Sequence, residues 1–427
     1  MPGGGGGDVA RPRAPGRGRL QRQPQHQTPS LPLDVVLAIA ARTDAATLVR
    51  CAATCADARA RLADNPNLRA RLRLRHTDRF VPPLLRGDLV HTHVGFYTDR
   101  KSELYLLDTA VTRDAAATCR LRRVTTGGFP LASRDGLLLL RMDKNLRVCD
   151  PATGRSQTVP LPESLPVAVQ HNGKYVLLVG DGEDGGAGAI TGTGRPFQVL
   201  LACLELSQHR RYLRIQIFSS DHAAWSRATD IRTPNLQGSR LKRGLGRALV
   251  VGGAVHWLCL TDTGAYALKL HVRAAQVTVT TLPESVPQSH NWWHEPLLAT
   301  SSAGGSPVVL FADGGKVLAW AQSKQTAKWK PQPQVVVETE AMLRFLDSAG
   351  GTKPSVWTTS ELDLVWFAER SGAVLIRMSH DHFFWLDLQS MEIVRWFSDR
   401  RIMYGAQHCP YEMNLSDWVP TFSSSTL

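Results

Sequence analysis

The sequence predicts a mainly β chain preceded by a small N-terminal helical domain. Three observations carry this prediction. From Leu89 to Phe397, short apolar runs of strand length alternate with Gly, Asp and Pro turns. Within that region a unit of several strands recurs at a period near 40 residues, the mark of a β-propeller. Helical spacing of apolar residues is confined to one block, Leu31 to Arg75.

Residues 1–29 are rich in Gly, Pro, Arg and Gln, and such a composition buries too little apolar surface to order itself. They are expected to form a solvated tail. The helical domain is placed at 30–79 and the propeller-like domain at 80–427. Pro32 suits the first turn of a helix, and Asp34 suits its positive end. Leu31, Val35, Val36, Ile39 and Ala40 then form one stripe, and Arg42 and Thr43 end the helix. Asp44 caps a second helix carrying Leu48, Val49, Cys51, Ala52 and Cys55. A third starts near Asp57 with Ala58 and Leu62, and Asn65-Pro66 opens a fourth with Leu68, Leu72 and Leu74. So small a block is marginal alone and leans on a neighbour or a partner.

The β-region begins after Pro82-Pro83, which block helix continuation. Its strands include Leu104–Asp108, Gly136–Arg141, Gln198–Leu206, Ala254–Leu260, Val374–Met378 and Phe383–Leu388, with no helical stretch of comparable strength between them. The runs 135–164 and 252–285 both read Gly, strand, turn, strand, loop, strand, Leu-Pro-Glu-Ser. Their LPES copies are 121 residues apart, read as about three units of 40. Weaker copies start at Gly315 and Leu362. Roughly six to eight blades follow from this length.

The formal charge is +13. Residues 1–86 supply most of it, so the β-region is not a basic platform and nucleic acid is not an expected partner. No apolar run is long enough for a membrane span, and the N-terminus has no apolar h-region, so no membrane association or secretory signal is expected. The seven Cys residues are odd in number and widely spaced, which fits free thiols in the cytoplasm or nucleus.

Chemistry-bearing motifs are scarce. Gly180–Gly194 lacks the Gly-Lys-Ser/Thr of a phosphate loop. In SHNWWHEP the Glu lies outside the His pair, and His380-Asp381-His382 reads as a hairpin turn. There is no G-x-S-x-G elbow. No cofactor, no metal site and no catalytic residue is expected. The eleven Trp residues are read as blade anchors, with Trp292 and Trp293 the candidates for recognising a target protein.

The helical block resembles an F-box. Leu31, Pro32, Asp34, Val36, Ile39, Leu48, Val49, Arg50, Cys55, Arg59 and Leu62 occupy its signature positions, and Pro66-Asn67-Leu68 resembles its ending. Two departures stand out: Ala58 replaces a frequent Trp, and Thr43-Asp44 replaces a Leu-Pro. The following run RLRLRHTDRFVPPLLRG, together with Asp150-Pro151 and IQIFSSDHAAWS, is similar to grass F-box proteins with a C-terminal F-box-associated propeller-like domain of unknown function. The resemblance implies a substrate-recognition subunit of a Skp–cullin–F-box ubiquitin ligase rather than an enzyme. It implies that Leu31, Pro32, Val35, Val36, Ile39, Leu48 and Val49 meet a Skp-type adaptor, and through it a cullin. Two other readings are a propeller enzyme acting on a small molecule and a non-degradative scaffold with a degenerate F-box.

Overall fold

The structure, a computed structural model, describes residues 32–43, 57–58, 60–61, 85–94, 101–108, 120–126, 128–151, 154–162, 173–179, 193, 196–242, 244–287, 295–301, 305–323, 325–351, 362–378, 382–398 and 407–412. Their strands form six antiparallel sheets, so the range of six to eight blades resolves to six.

Blade 1 contains β1 (Leu85–Val94), β2 (Lys101–Asp108) and β3 (Arg120–Thr126). Blade 2 contains β4 (Phe129–Arg134), β5 (Leu137–Arg141), β6 (Asn145–Cys149) and β7 (Ser156–Pro160). Blade 3 contains β8 (Lys174–Val179), β9 (Phe197–Leu206) and β10 (Arg211–Ser219), edged by β11 (Ala224–Trp225) and β12 (Thr229–Arg232). Blade 4 contains β13 (Leu249–Val251), β14 (Ala254–Leu260), β15 (Ala265–His271) and β16 (Gln276–Thr281). Blade 5 contains β17 (Leu297–Ser301), β18 (Ser306–Asp313), β19 (Lys316–Ala321) and β20 (Gln334–Glu338). Blade 6 contains β21 (Leu362–Ala368), β22 (Ala373–Met378), β23 (His382–Asp387) and β24 (Glu392–Ser398). The last described strand, β25 (Gln407–Glu412), returns to blade 1 and pairs with β1 on the side opposite β2. The first and last described strands therefore share one sheet, and the ring closes through backbone hydrogen bonds.

The core lies between blades. Successive side chains of a strand point to opposite faces. In β5, Leu137 and Leu139 pack with Leu177, Val199 and Phe218 of blade 3, while Leu138 and Leu140 pack with Leu89, Leu104 and Tyr411 of blade 1. Trp385 of β23 joins Leu85 and Leu107 across the junction of blades 6 and 1. Middle strands are buried on both faces and read as continuous apolar runs. Three turns use the two-residue hairpin that requires two positive φ angles: Asp135-Gly136, Gly252-Gly253 and Gly314-Gly315.

Two expectations are corrected. The two LPES copies follow β7 and β16, so they close blades 2 and 4 and are separated by two blade steps instead of three. The extra length lies around blade 3, which carries a fifth strand and the long connection from Arg232 to Leu249. A helix does interrupt the strands: α2 (Thr339–Ser348) packs Met342 and Leu346, one turn apart, against blades 5 and 6. On the N-terminal side, α1 (Leu33–Thr43) ends where the sequence placed it. Residues 57–58 and 60–61 are also helical, and the remainder of the bundle expected over 30–79 lies outside the described residues.

Trp385 tests the inter-blade core. Trp385→Ala is expected to lower unfolding free energy by about 3–5 kcal/mol. The indole Nε1 has no hydrogen-bond partner among the described residues. Trp385→Phe, which removes this donor, is expected to cost under about 1.5 kcal/mol in the same urea titration.

Candidate functional site

The inner strands β25, β4, β8, β13, β17 and β21 surround a central cavity of about 700 Å³. They run in one direction, so the cavity has an entry end, where they begin, and a far end, where they finish.

Ion pairs close the far end. Arg134 ends β4, and its guanidinium pairs with Glu369, just beyond β21. Glu369 also accepts the Val250 N–H of β13 at 3.0 Å, so the contact crosses the axis. Arg370 donates through Nε and Nη2 to both carboxylate oxygens of Asp135, at 2.7 and 3.0 Å. Asp135 has φ +49°, a conformation that Asp tolerates and β-branched residues do not, so one residue shapes the turn and holds the pair. Glu412, the last residue of β25, is buried at 4% exposure. Its carboxylate accepts the backbone N–H of Arg370 at 3.1 Å, that of Ser371 at 2.7 Å, and the Ser371 hydroxyl. Its backbone carbonyl accepts the Gly136 N–H at 2.9 Å. Burial raises the Glu412 carboxyl above its ordinary value, against the lowering effect of the Ser371 hydroxyl and the two N–H donors.

The entry end is basic. Arg141, Lys174, Lys242 and Arg247 line the cavity there, with Glu295 as the acidic residue among them. The segment carrying Lys242 and Arg247 is pinned along β14: Lys242 N–H donates to the Leu260 carbonyl and Gly246 N–H to the Leu258 carbonyl, both at 2.9 Å. Upstream, Asp262 accepts the Ser239 hydroxyl at 2.7 Å and its N–H at 2.9 Å, which holds the Asp262 carboxyl down to about 2. The Arg247 guanidinium lies 3.9 Å from the centre of the Trp366 ring, within cation–π range. Arg247 touches cavity solvent yet is enclosed by surrounding protein. This desolvation lowers its pKa, while Glu295, Cys409 and Asp88 oppose the shift. Lys174 is lowered in the same way, and the nearby charge of Arg247 adds to the effect.

The residues expected to bind the adaptor lie apart from this cavity. Val35 and Ile39 are exposed on α1, as is Pro32 just before it, and Val36 is half-buried. Leu37, absent from the expected stripe, is the inward residue at 3% exposure, and Ala58 is buried at 1%. A surface ion pair between Asp34 and Arg61 joins α1 to the second helical segment. Leu31, Leu48 and Val49 lie outside the described residues, as do Trp292, Trp293 and most of Gly180–Gly194. His382 begins β23 and stacks on Trp396, with ring centroids 6.4 Å apart. The cavity residues carry no motif spacing. Their one sequence signal is a charged residue beside an inner-strand turn, as in Arg134-Asp135-Gly136 and Glu369-Arg370-Ser371-Gly372.

Glu412 gives a pH prediction. Its folded pKa is raised above the ordinary 4.5, so the folded chain holds this proton more tightly than the unfolded chain. That stability is fully present below the unfolded value and is lost as pH rises through the folded value. The stability advantage of wild type over Glu412→Gln is therefore expected to shrink as pH rises through this window. Urea titrations across a pH series check it, and an advantage that grows with pH contradicts it.

Among solved structures the chain is similar to TolB from Acinetobacter baumannii, with 10% identity over 76% of this chain and 66% of that one, and a TM-score of 0.40. It is also similar to a chain of a nidogen/laminin complex, with 9% identity over 76% of this chain and 98% of that one, and a TM-score of 0.39. The chain thus spans just under two thirds of TolB. These scores carry no argument, and the blade count rests on the strand pairing above. No curated protein matches. Residues 110–423 match the family model described as Domain of unknown function (DUF7595), and the chain belongs to that family.

Proposed function

We propose that this chain is the substrate-recognition subunit of a Skp–cullin–F-box ubiquitin ligase, acting in the cytoplasm or nucleus. In this reading α1 docks on a Skp-type adaptor, and the propeller holds the target protein. The observation that carries it is the division of α1 into two faces. Leu37 is buried at 3% exposure, whereas Val35 and Ile39, one turn apart, are 41% and 50% exposed. Two branched apolar side chains held in water at helical spacing fit a helix whose outer face meets a partner. The DUF7595 match begins at residue 110, so the helical block lies outside it and the reading rests on the block's own residues. The chain contributes no catalytic group here. It supplies proximity between a bound target and the conjugating enzyme.

A second reading, a propeller acting on a small molecule, draws support from the lumen. Its walls carry inward polar and charged groups at both ends rather than an apolar plug.

A pull-down with purified Skp-type adaptor separates the two. Wild type is expected to bind, and Val35→Asp combined with Ile39→Asp is expected to weaken binding at least roughly tenfold while leaving the thermal transition in place. Failure of the wild type, under conditions where an established F-box protein binds, removes the adaptor reading.

A further inference from the structure

Four cations, Arg141, Lys174, Lys242 and Arg247, line the entry half of the cavity, where Glu295 is the one carboxylate among the described lining residues. Arg247 and Lys174 neither donate a hydrogen bond to a described residue nor lie within ion-pair distance of one, and Glu295 acts on both only at longer range. Their charges repel each other where both line the cavity. Such convergence raises the free energy of the empty cavity and is relieved by an anion. The Arg247 guanidinium lies over the Trp366 ring, and both residues line the cavity. A guanidinium fork matches two oxygens of a phosphate, and an ammonium such as Lys174 supplies a point charge beside it.

The size of the space narrows the ligand further. A cavity of about 700 Å³ lies within the range of small-molecule sites. A phosphate group alone leaves most of it empty. Phe129, Pro130 and Trp366 add apolar walls beside the charged group.

We propose that the lumen binds a small organic phosphate, with its phosphate held by Arg247 and Lys174 and its organic part against Trp366 and Phe129. Binding alone is inferred, with no turnover, and the inference stands whether or not α1 meets an adaptor.

Isothermal titration of the full chain with phenyl phosphate, inorganic phosphate, phenol and a phosphoserine peptide tests this. Phenyl phosphate is expected to bind saturably and more tightly than inorganic phosphate, with phenol unbound. Arg247→Met is expected to weaken phenyl phosphate at least roughly tenfold. Lys174 is exposed, so Lys174→Met gives the same test without a folding risk. Lys330→Gln, an exposed cation outside the cavity, is expected to bind as wild type does. Absence of saturable binding by either phosphate probe overturns the proposal. So does unchanged affinity in folded Lys174→Met and Arg247→Met. Capture of the phosphopeptide without phenyl phosphate also overturns it, in favour of a macromolecular ligand.

Discussion

Glu412 is the residue on which the ring depends. It ends the strand that closes blade 1, and it reaches both neighbouring blades. Its carbonyl takes the Gly136 N–H from the first turn of blade 2, and its carboxylate takes two N–H groups and a hydroxyl from the turn after β21 of blade 6. No covalent bond closes a circular array of blades, so closure rests on the β1–β25 hydrogen bonds and on these contacts. Each blade buries its middle strands against the next, so a gap at one junction exposes two apolar faces at once. The buried carboxylate is costly to desolvate, and its three donors offset that cost only when blade 6 is in place, while the backbone carbonyl ties in blade 2.

A closed ring fixes the geometry of its lumen. With six inner strands in position, Arg134 and Glu369 meet across the far end and Arg370 locks onto Asp135. Removing one partner strands a charge in a poorly solvated place, so these pairs specify one arrangement of blades more than they stabilise it. The entry end is built differently. Its cations outnumber the carboxylates among the described lining residues, and the residues that carry two of them, Lys242 and Arg247, are positioned by β14 and Asp262. One end of the axis is therefore structural, and the other presents charge to solvent.

What the sequence made legible follows from burial. Middle strands such as β5, β14 and β23 are covered on both faces, so they read as unbroken apolar runs. Outer strands such as β7 (SQTVP) and β16 (QVTVTT) face water and lack a long apolar signature, so they were legible only as the third strand of the repeat that ends in Leu-Pro-Glu-Ser. Two inner strands, β4 and β25, were hidden for another reason. They are sheet edges facing the lumen, so they tolerate proline: Pro130 in β4 and Pro410 in β25 sit where a central strand would not accept one. The closing strand was therefore the hardest element to read. In α1 the apolar stripe was legible, yet its division into inward Leu37 and outward Val35 and Ile39 was not, because helical spacing alone does not say which face has a neighbour. The lumen cations come from strand ends, a turn-adjacent loop and residues distant in sequence, and only ring closure brings them together.

The account treats the helical block and the ring as units with separate roles, and it makes the closing strand part of the ring's single cooperative core. Native-state hydrogen exchange of the Gly136, Arg370 and Ser371 amides measures that claim directly, since all three donate to Glu412. The account predicts that they exchange only through global unfolding, with the same denaturant dependence as amides in β14 and β23. Exchange of these three through a low-energy local opening, while β14 and β23 stay protected, would contradict it.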